Sequence, residues 1–216
     1  KMNLDLKEIT FIIVSYKSNK VIHNCINSLP RFSKKIVIEN SYDQDLKIDL
    51  ESKYDNIEVI LNENQGMGAS NNIGIKKSTT KYAFILNPDV VFYENTFLNL
   101  VDALKNIDDF SIISPINEDK NFPNYKIKNN HPIINNHILE VDIIDGFSML
   151  INKSKFEDQI YFDENFFLYL EEIDLCKRIR ENNGKILSIN IPFIHLGGLS
   201  HGDRENIEME KSRNWH

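Results

Sequence analysis

The chain has little that would staple or anchor it. Of its 216 residues only two are cysteines, Cys25 and Cys176. They stand far apart and form no CxxC pair, which argues against a disulfide scaffold or a zinc knuckle and fits a reducing cytosol. No apolar run reaches the roughly 18 residues that span a bilayer. The opening stretch, KMNLDLKEITFIIVSY, is mixed in charge and has no small-residue cleavage site, so no signal peptide is expected. Positive charge is in deficit: the net charge is −7, so the whole is no electrostatic match for nucleic acid. Neither a Walker pattern nor a GxGxxG is found in the glycine-bearing stretch NENQGMGASNN. Internal repeats and dividing linkers are absent too.

What is there is enough apolar material for a core. Hydrophobic residues make up 41% of the chain, which suits one domain over residues 1–216. Asn and Ile are abundant, a bias of composition from which no function follows. Residues 9–15, ITFIIVS, are β-branched and apolar on both parities, as in a strand covered on both faces of a parallel sheet. Val21, Ile22, Cys25, Ile26 and Leu29 recur at helical spacing, and Pro30 closes that segment. Strands are predicted at 35–40, 57–62, 82–87, 111–114 and 185–189. Helices are predicted around 46–54, 69–77, 95–106 and 170–182, the last stopped by a C-terminal cap at Gly184. Such alternation means an α/β fold with a mostly parallel central sheet. Between 115 and 140 periodicity dissolves into Asn, Pro, Lys and His, the pattern of a mobile functional loop. VDIIDGFSMLI, at 141–151, reads as a strand pair or a strand bulged at Gly146.

Three places carry chemistry. In LNPDVVF the apolar run breaks at Pro88, which cannot donate a ladder hydrogen bond, and Asp89 follows at the strand end. Ligands of open α/β sheets sit there, and a lone acid can hold Mg²⁺ or Mn²⁺. Asn-Pro-Asp is equally a plain turn. In FFLYLEEIDLCKRIRENNG, Glu171, Glu172 and Asp174 crowd a helix start, which the helix dipole alone would favour. The apolar wall of residues 166–170 would also raise a carboxylate's pKa and make it a proton acceptor. In FIHLGGLSHG, His195 follows an apolar run and precedes Gly197, Gly198, Ser200 and His201. It is either a structural histidine or a ligand. Asp145-Gly146 is a weaker feature.

Taken in order, these pieces resemble an inverting glycosyltransferase of family 2 with the GT-A fold, a single Rossmann-like domain. The branch they look most like is the bacterial rhamnosyltransferase-like group that builds surface polysaccharides. FIIVSYKS, VIENSYD, NENQGMGASNNIGI, LNPDVVF, DGFSMLINKSKF, FDENFFLYLEEIDLCKRIRENNGKI and HLGG carry the resemblance over about residues 9–202. It implies a nucleotide-binding part over about 1–114 and an acceptor and catalytic part over about 115–216. It implies that LNPDVVF occupies the place of the DxD motif, with Asn87 at its first acidic position and Asp89 at its last. Asp89 would hold Mn²⁺ or Mg²⁺ against the diphosphate of a UDP- or dTDP-type sugar donor, and His195 would ligate the metal or touch the diphosphate. LEEID matches the family's Glu-Asp base motif, with Glu172 in place of the Asp. Glu172 is thus the expected general base and Glu171 the second choice. Glu39-Asn40 replaces the family's Asp-Asn at the nucleoside. Ser15 and Tyr16 would flank base and ribose, and Asn64, Gly66 and Asn71 would come from the loop beside the nucleotide.

Helical spacing puts Glu172 on the face of Cys176 and Ile179, toward packed protein, and Glu171 on that of Leu175 and Arg178, where it could pair with Arg178. A nucleotidyltransferase of related architecture is the competing enzyme class, but its glycine-rich triphosphate loop has no counterpart in VSYKSNK. A catalytically silent sugar-binding relative is the other alternative, prompted by the Glu-for-Asp changes. The acceptor is expected to be a glycan or lipid-linked. EKSRNWH resembles the start of a basic-aromatic segment, so a cytoplasmic protein with peripheral contact at the inner face of the plasma membrane is expected.

Overall fold

The computed structural model describes residues 4–105, 107–127, 133–135 and 137–197. Gly198, Ser200, His201 and EKSRNWH lie outside them. The first half alternates strand and helix: β1 (Ile9–Ser15), α1 (Ile22–Asn27), β2 (Lys34–Glu39), α2 (Gln44–Lys53), β3 (Ile57–Leu61), α3 (Met67–Lys77) and β4 (Tyr82–Leu86). Then follow β5 (Val90–Phe92), α4 (Thr96–Leu104), β6 (Ile112–Asn117), β7 (Tyr125–Lys126), β8 (Ile133–Asn135), β9 (Ile138–Glu140), β10 (Ile143–Ile144) and β11 (Ser148–Asn152). The helix α5 (Glu171–Glu181) and the strand β12 (Ile186–His195) complete the order.

The main sheet runs β3-β2-β1-β4-β11-β6-β12-β9-β8, with β5 paired to β12. Pairing is parallel from β3 through β2 and β1 to β4, and again between β6 and β12. β11 is inserted antiparallel between β4 and β6. Every residue of β1 is buried, because a packed layer lies on each face. Phe11 and Ile13 enter the cluster that takes up α1, α2 and α4, while Ile12 enters the one that takes up α3 and α5. Two apolar parities in the sequence therefore mean two cores. The Asp43 carboxylate caps α2 by accepting from Leu46 N–H at 2.9 Å.

Three expectations change. Residues 115–140 are not one long loop: β6 extends to Asn117 and β7, β8 and β9 lie within the stretch. These strands are two or three residues long, too short to show a period. The 141–151 stretch does divide, but its halves do not pair with each other: β10 pairs with β7 in a separate ribbon and β11 joins the main sheet. At the end of α5 the left-handed residue is Asn183, with φ +58°. Gly184 serves close packing instead: a Cβ there would lie 2.6 Å from Ser111 Oγ and 2.7 Å from Ile179 Cγ2.

Gly74 shows how tightly α3 sits on the sheet. A Cβ at Gly74 would stand 2.4 Å from Ile12 Cγ2, in the middle of β1. Alanine is the better helix former by about 1 kcal/mol, yet overpacking here costs about 1–3 kcal/mol. Gly74→Ala is therefore expected to lower the urea midpoint. An unchanged or raised midpoint would show that β1 and α3 are less tightly opposed than described.

Candidate active site

The parallel register sets the carboxyl ends of the strands side by side. Ser15 pairs with Glu39, and Asn40 N–H donates to Ser15 O at 2.8 Å. β4 ends one step away, and the chain turns through Asn87-Pro88-Asp89 with Val90 N–H donating to Asn87 O at 3.2 Å. The tripeptide is thus a turn that also presents a carboxylate. β5 then pairs antiparallel with β12, placing Val90 opposite His195. Leu196 N–H donates to Asp89 O at 3.1 Å. Two residues remote in sequence are brought together by that ladder.

Asp89 is 0% exposed, and neither carboxylate oxygen has a hydrogen-bond partner within the protein. His195 Nε2 lies 3.4 Å from Asp89 Oδ1. The imidazole is held flat against Phe147, with ring centroids 4.0 Å apart and planes at 14°. A buried carboxylate without donors is costly unless a cation meets it. A carboxylate suits Mn²⁺ or Mg²⁺, so Asp89 fits the expected metal, while the imidazole nitrogen beside it is a ligand type better matched to softer transition-metal ions. Among the described residues no three His, Cys, Asp or Glu side chains gather into a metal site. Beneath the turn, Cys25 Sγ is 3.7 Å from Asn87 O. Burial, and then the Asp89 charge, pushes this thiol far up, so it stays protonated.

At the end of β2 Glu39 is fully buried. Its Oε1 accepts from Ser41 N–H at 2.7 Å and from Ser41 Oγ, while Oε2 and Ser15 Oγ have no partner within the protein. Asn40 braces the neighbouring loop: Nδ2 donates to Ser70 Oγ at 2.8 Å, and Oδ1 accepts from Asn62 Nδ2 at 2.9 Å. Asn64 Oδ1 accepts from Gly66 N–H at 3.1 Å. Gly66 has φ +103°, and a Cβ there would lie 2.3 Å from Phe167 O, so only glycine fits. Asn71 is buried in α3. Tyr16 is half-buried, with Lys17 Nζ 5.5 Å from its ring centre.

Across the site, α5 opens with the two glutamates. Glu171 is only 6% exposed and its Oε2 is unpartnered. Burial, aided by the charge of Glu172, pushes its carboxyl up to about 7. Glu172 is half-buried. Burial raises it, backbone N–H at the helix start and Lys126 pull it back, and Asp145 adds to the rise. The burial order thus reverses the helical-wheel expectation. The first turn of α3 covers Glu171, whose Cβ is 3.5 Å from where a Gly68 Cβ would stand. The expected Glu171–Arg178 pair does not form: Arg178 Nε binds Asp174 Oδ2 at 2.7 Å, one helical turn away, and its guanidinium also donates to Tyr161 O.

Three residues gain weight beyond the sequence reading. Asp145 is raised by burial and lowered by Lys126 and His195. Gly146 touches α5, its missing Cβ lying 3.6 Å from Glu172 Cβ. Phe147 carries the His195 ring. An acid and a glycine after two isoleucines were the visible trace of this wedge. The tripeptide therefore spans from Glu172 to His195.

The raised carboxyl of Glu171 has a consequence for stability. Its folded value of about 7 exceeds the ordinary 4.5, so folding favours the protonated form. That contribution is complete below the ordinary value and is lost as pH rises through 7. At about 1.4 kcal/mol per pH unit, the loss is up to roughly 3 kcal/mol. Melting temperature should therefore fall between about pH 4.5 and 7, and Glu171→Gln should flatten that slope. A slope unchanged in Glu171→Gln would contradict it.

Comparison with known proteins bears on this geometry. The family model "Glycosyl transferase family 2" matches residues 10–175. The low-salt glycan biosynthesis hexosyltransferase Agl10 of Haloferax volcanii is 29% identical over 197 residues, covering 82% of this chain and 63% of that protein. The rhamnosyltransferase WbbL of Escherichia coli K12 is 23% identical over 238 residues, covering 95% of this chain and 88% of that protein. Among solved structures, the mannosyltransferase PcManGT from Pyrobaculum calidifontis, in complex with GDP-Man and Mn²⁺, superposes with a TM-score of 0.70 at 11% identity. That match covers 96% of this chain and 61% of the other. This chain thus spans under two thirds of the Haloferax and Pyrobaculum proteins. The architecture is the GT-A fold, and the chain belongs to glycosyl transferase family 2.

Proposed function

We propose that the protein is an inverting glycosyltransferase that moves a sugar, rhamnose being the leading candidate, from a nucleoside diphosphate to a hydroxyl of a glycan or lipid-linked acceptor. One observation carries the reading. A fully buried Asp89 carboxylate without hydrogen bonds, beside His195, and a half-buried glutamate of raised basicity, Glu172, converge on one end of the sheet.

Asp89 and His195 would hold a divalent cation against the diphosphate, with Asn87 beside them. When bound, that cation neutralises charge on the leaving nucleoside diphosphate as a Lewis acid. Glu39, through its unpartnered Oε2, accepts a ring N–H such as that of uracil or thymine, which favours a UDP- or dTDP-sugar. Ser15 and Tyr16 flank base and ribose, while Asn64, Gly66 and Asn71 shape the loop over the nucleotide. Glu172 takes the proton of the acceptor hydroxyl as that oxygen attacks the anomeric carbon from the face opposite the diphosphate. The configuration inverts in one displacement, with no covalent enzyme intermediate. Glu171, buried and with its carboxyl raised to about 7, assists as neighbour. Residues 1–114 serve the nucleotide and 115–216 the acceptor. The rhamnosyltransferase and glycan-biosynthesis relatives support a surface-polysaccharide role. Work at the inner face of the plasma membrane fits a lipid-linked acceptor; no helix among the described residues is long and apolar enough to cross a membrane.

The assignment of the base is testable by isosteric changes that remove basicity and keep shape. A positioned base contributes typically 10²–10⁴-fold. Glu172→Gln should lower kcat by that order and leave nucleoside diphosphate affinity nearly intact. Glu171→Gln should do less, or act through the acceptor KM. A dead Glu171→Gln beside a normal Glu172→Gln would move the base by one residue.

A further inference from the structure

The segment from Phe162 to Leu170 delivers both glutamates to the site, and its backbone is held in an unusual way. Tyr169 and Leu170 are consecutive left-handed residues, with φ +66° and +75°. Neither is glycine, and each such residue costs on the order of 1 kcal/mol or more. No side chain caps α5, which begins immediately after them. Something outside the helix must therefore fix its start.

Two ties to α3 do so. Asn72, buried to 3% exposure on α3, behaves toward Phe162 like a strand partner. Its Oδ1 accepts from Phe162 N–H at 3.0 Å and its Nδ2 donates to Phe162 O at 2.9 Å. The same Nδ2 donates to Glu164 Oε1 at 2.9 Å. Five residues on, Met67 N–H in the first turn of α3 donates to Phe167 O at 2.9 Å. Gly68 sits between the two ties, with Phe162 Cβ 3.1 Å and Glu171 Cβ 3.5 Å from where its own Cβ would stand. The segment is thus strapped at two points to one helix. That helix begins at the loop carrying Asn64 and Gly66.

We propose that Asn72 is a positioning residue for the transfer step: by clamping Phe162 and Glu164 it holds the strained turn that aims Glu171 and Glu172 at the acceptor. It touches no substrate. It acts on the base through the strap, so its loss should slow turnover without loosening the nucleotide. This inference rests on the reading of α5 as the catalytic helix. Removing both donated bonds frees the strap at one end only, since the Met67–Phe167 bond remains. A base displaced by about 1 Å can cost up to 10²-fold.

The test compares Asn72→Asp and Asn72→Ala with the parent protein. Asn72→Asp keeps the shape and the acceptor for Phe162 N–H but loses the donated bonds. Turnover of a nucleotide-sugar, UDP or dTDP affinity with Mn²⁺, and hydrogen exchange of amides 163–171 are measured, with circular dichroism checking the fold. We expect kcat to fall roughly 10- to 100-fold in Asn72→Ala, nucleotide affinity to hold within about twofold, and exchange at 163–171 to rise. Asn72→Asp should show the same split and stands in if Asn72→Ala does not fold. Turnover within twofold of the parent, or affinity falling in step with turnover, overturns the proposal. The two readings separate cleanly: normal turnover in Glu172→Gln removes the base assignment, whereas a dead Glu172→Gln beside a fully active Asn72→Ala removes the strap alone.

Discussion

Everything at the upper end of this sheet is arranged around a carboxylate that the protein buries and does not satisfy. Asp89 has no exposure and no hydrogen bond to either oxygen. A carboxylate so placed is unfavourable unless a cation meets it. The fold holds it there anyway. Pro88 ends the ladder of β4, the Asn87–Val90 turn reverses the chain, and the β5–β12 pairing fixes His195 beside it. Glu39 and Glu171 repeat the pattern, each with one buried oxygen unpartnered. Three buried acids at one end of a small domain oppose stability, which is what a site kept ready for a cationic and hydrogen-bonding ligand looks like.

The inserted strand β11 explains how the two halves meet. It enters antiparallel between β4 and β6, and the wedge Asp145-Gly146-Phe147 directly precedes it. Phe147 O accepts from Asn87 N–H at 3.0 Å, so the wedge is tied to the Asp89 turn as well as to His195. Gly146 lets α5 approach from the other side. The Asp89 turn and the start of α5 are therefore both set by the same three residues, and α3 holds the segment leading into α5 as well, through its ties to Phe162, Glu164 and Phe167.

Much of this was legible in the sequence, for physical reasons. Strands buried on both faces must be apolar on both parities, so β1, β2 and β4 stood out. Asp89 was marked by Pro88, because a residue without an N–H ends a ladder wherever it falls. Other features were not legible. β7 to β10 are two or three residues long, too short for any period to show, although isoleucine is their commonest residue. The contact of His195 with Asp89 is a property of the β5–β12 ladder, which no local window contains. Helical spacing gave the angle between Glu171 and Glu172 but not which one α3 would cover. Asn72 looked like one more asparagine in an asparagine-rich chain; only its two bonds to Phe162 distinguish it.

The most direct test is of the Asp89 centre itself. Titration calorimetry would follow UDP, dTDP and GDP binding in Mn²⁺ and in EDTA, for the parent protein and for Asp89→Asn, which keeps the shape and removes the charge. At least one nucleotide should bind the parent on the order of tenfold or more tighter with Mn²⁺, and Asp89→Asn should lose that advantage while melting no lower. A parent protein that binds all three equally in Mn²⁺ and EDTA, or an Asp89→Asn that keeps the full Mn²⁺ advantage, would contradict a metal–diphosphate role for this carboxylate.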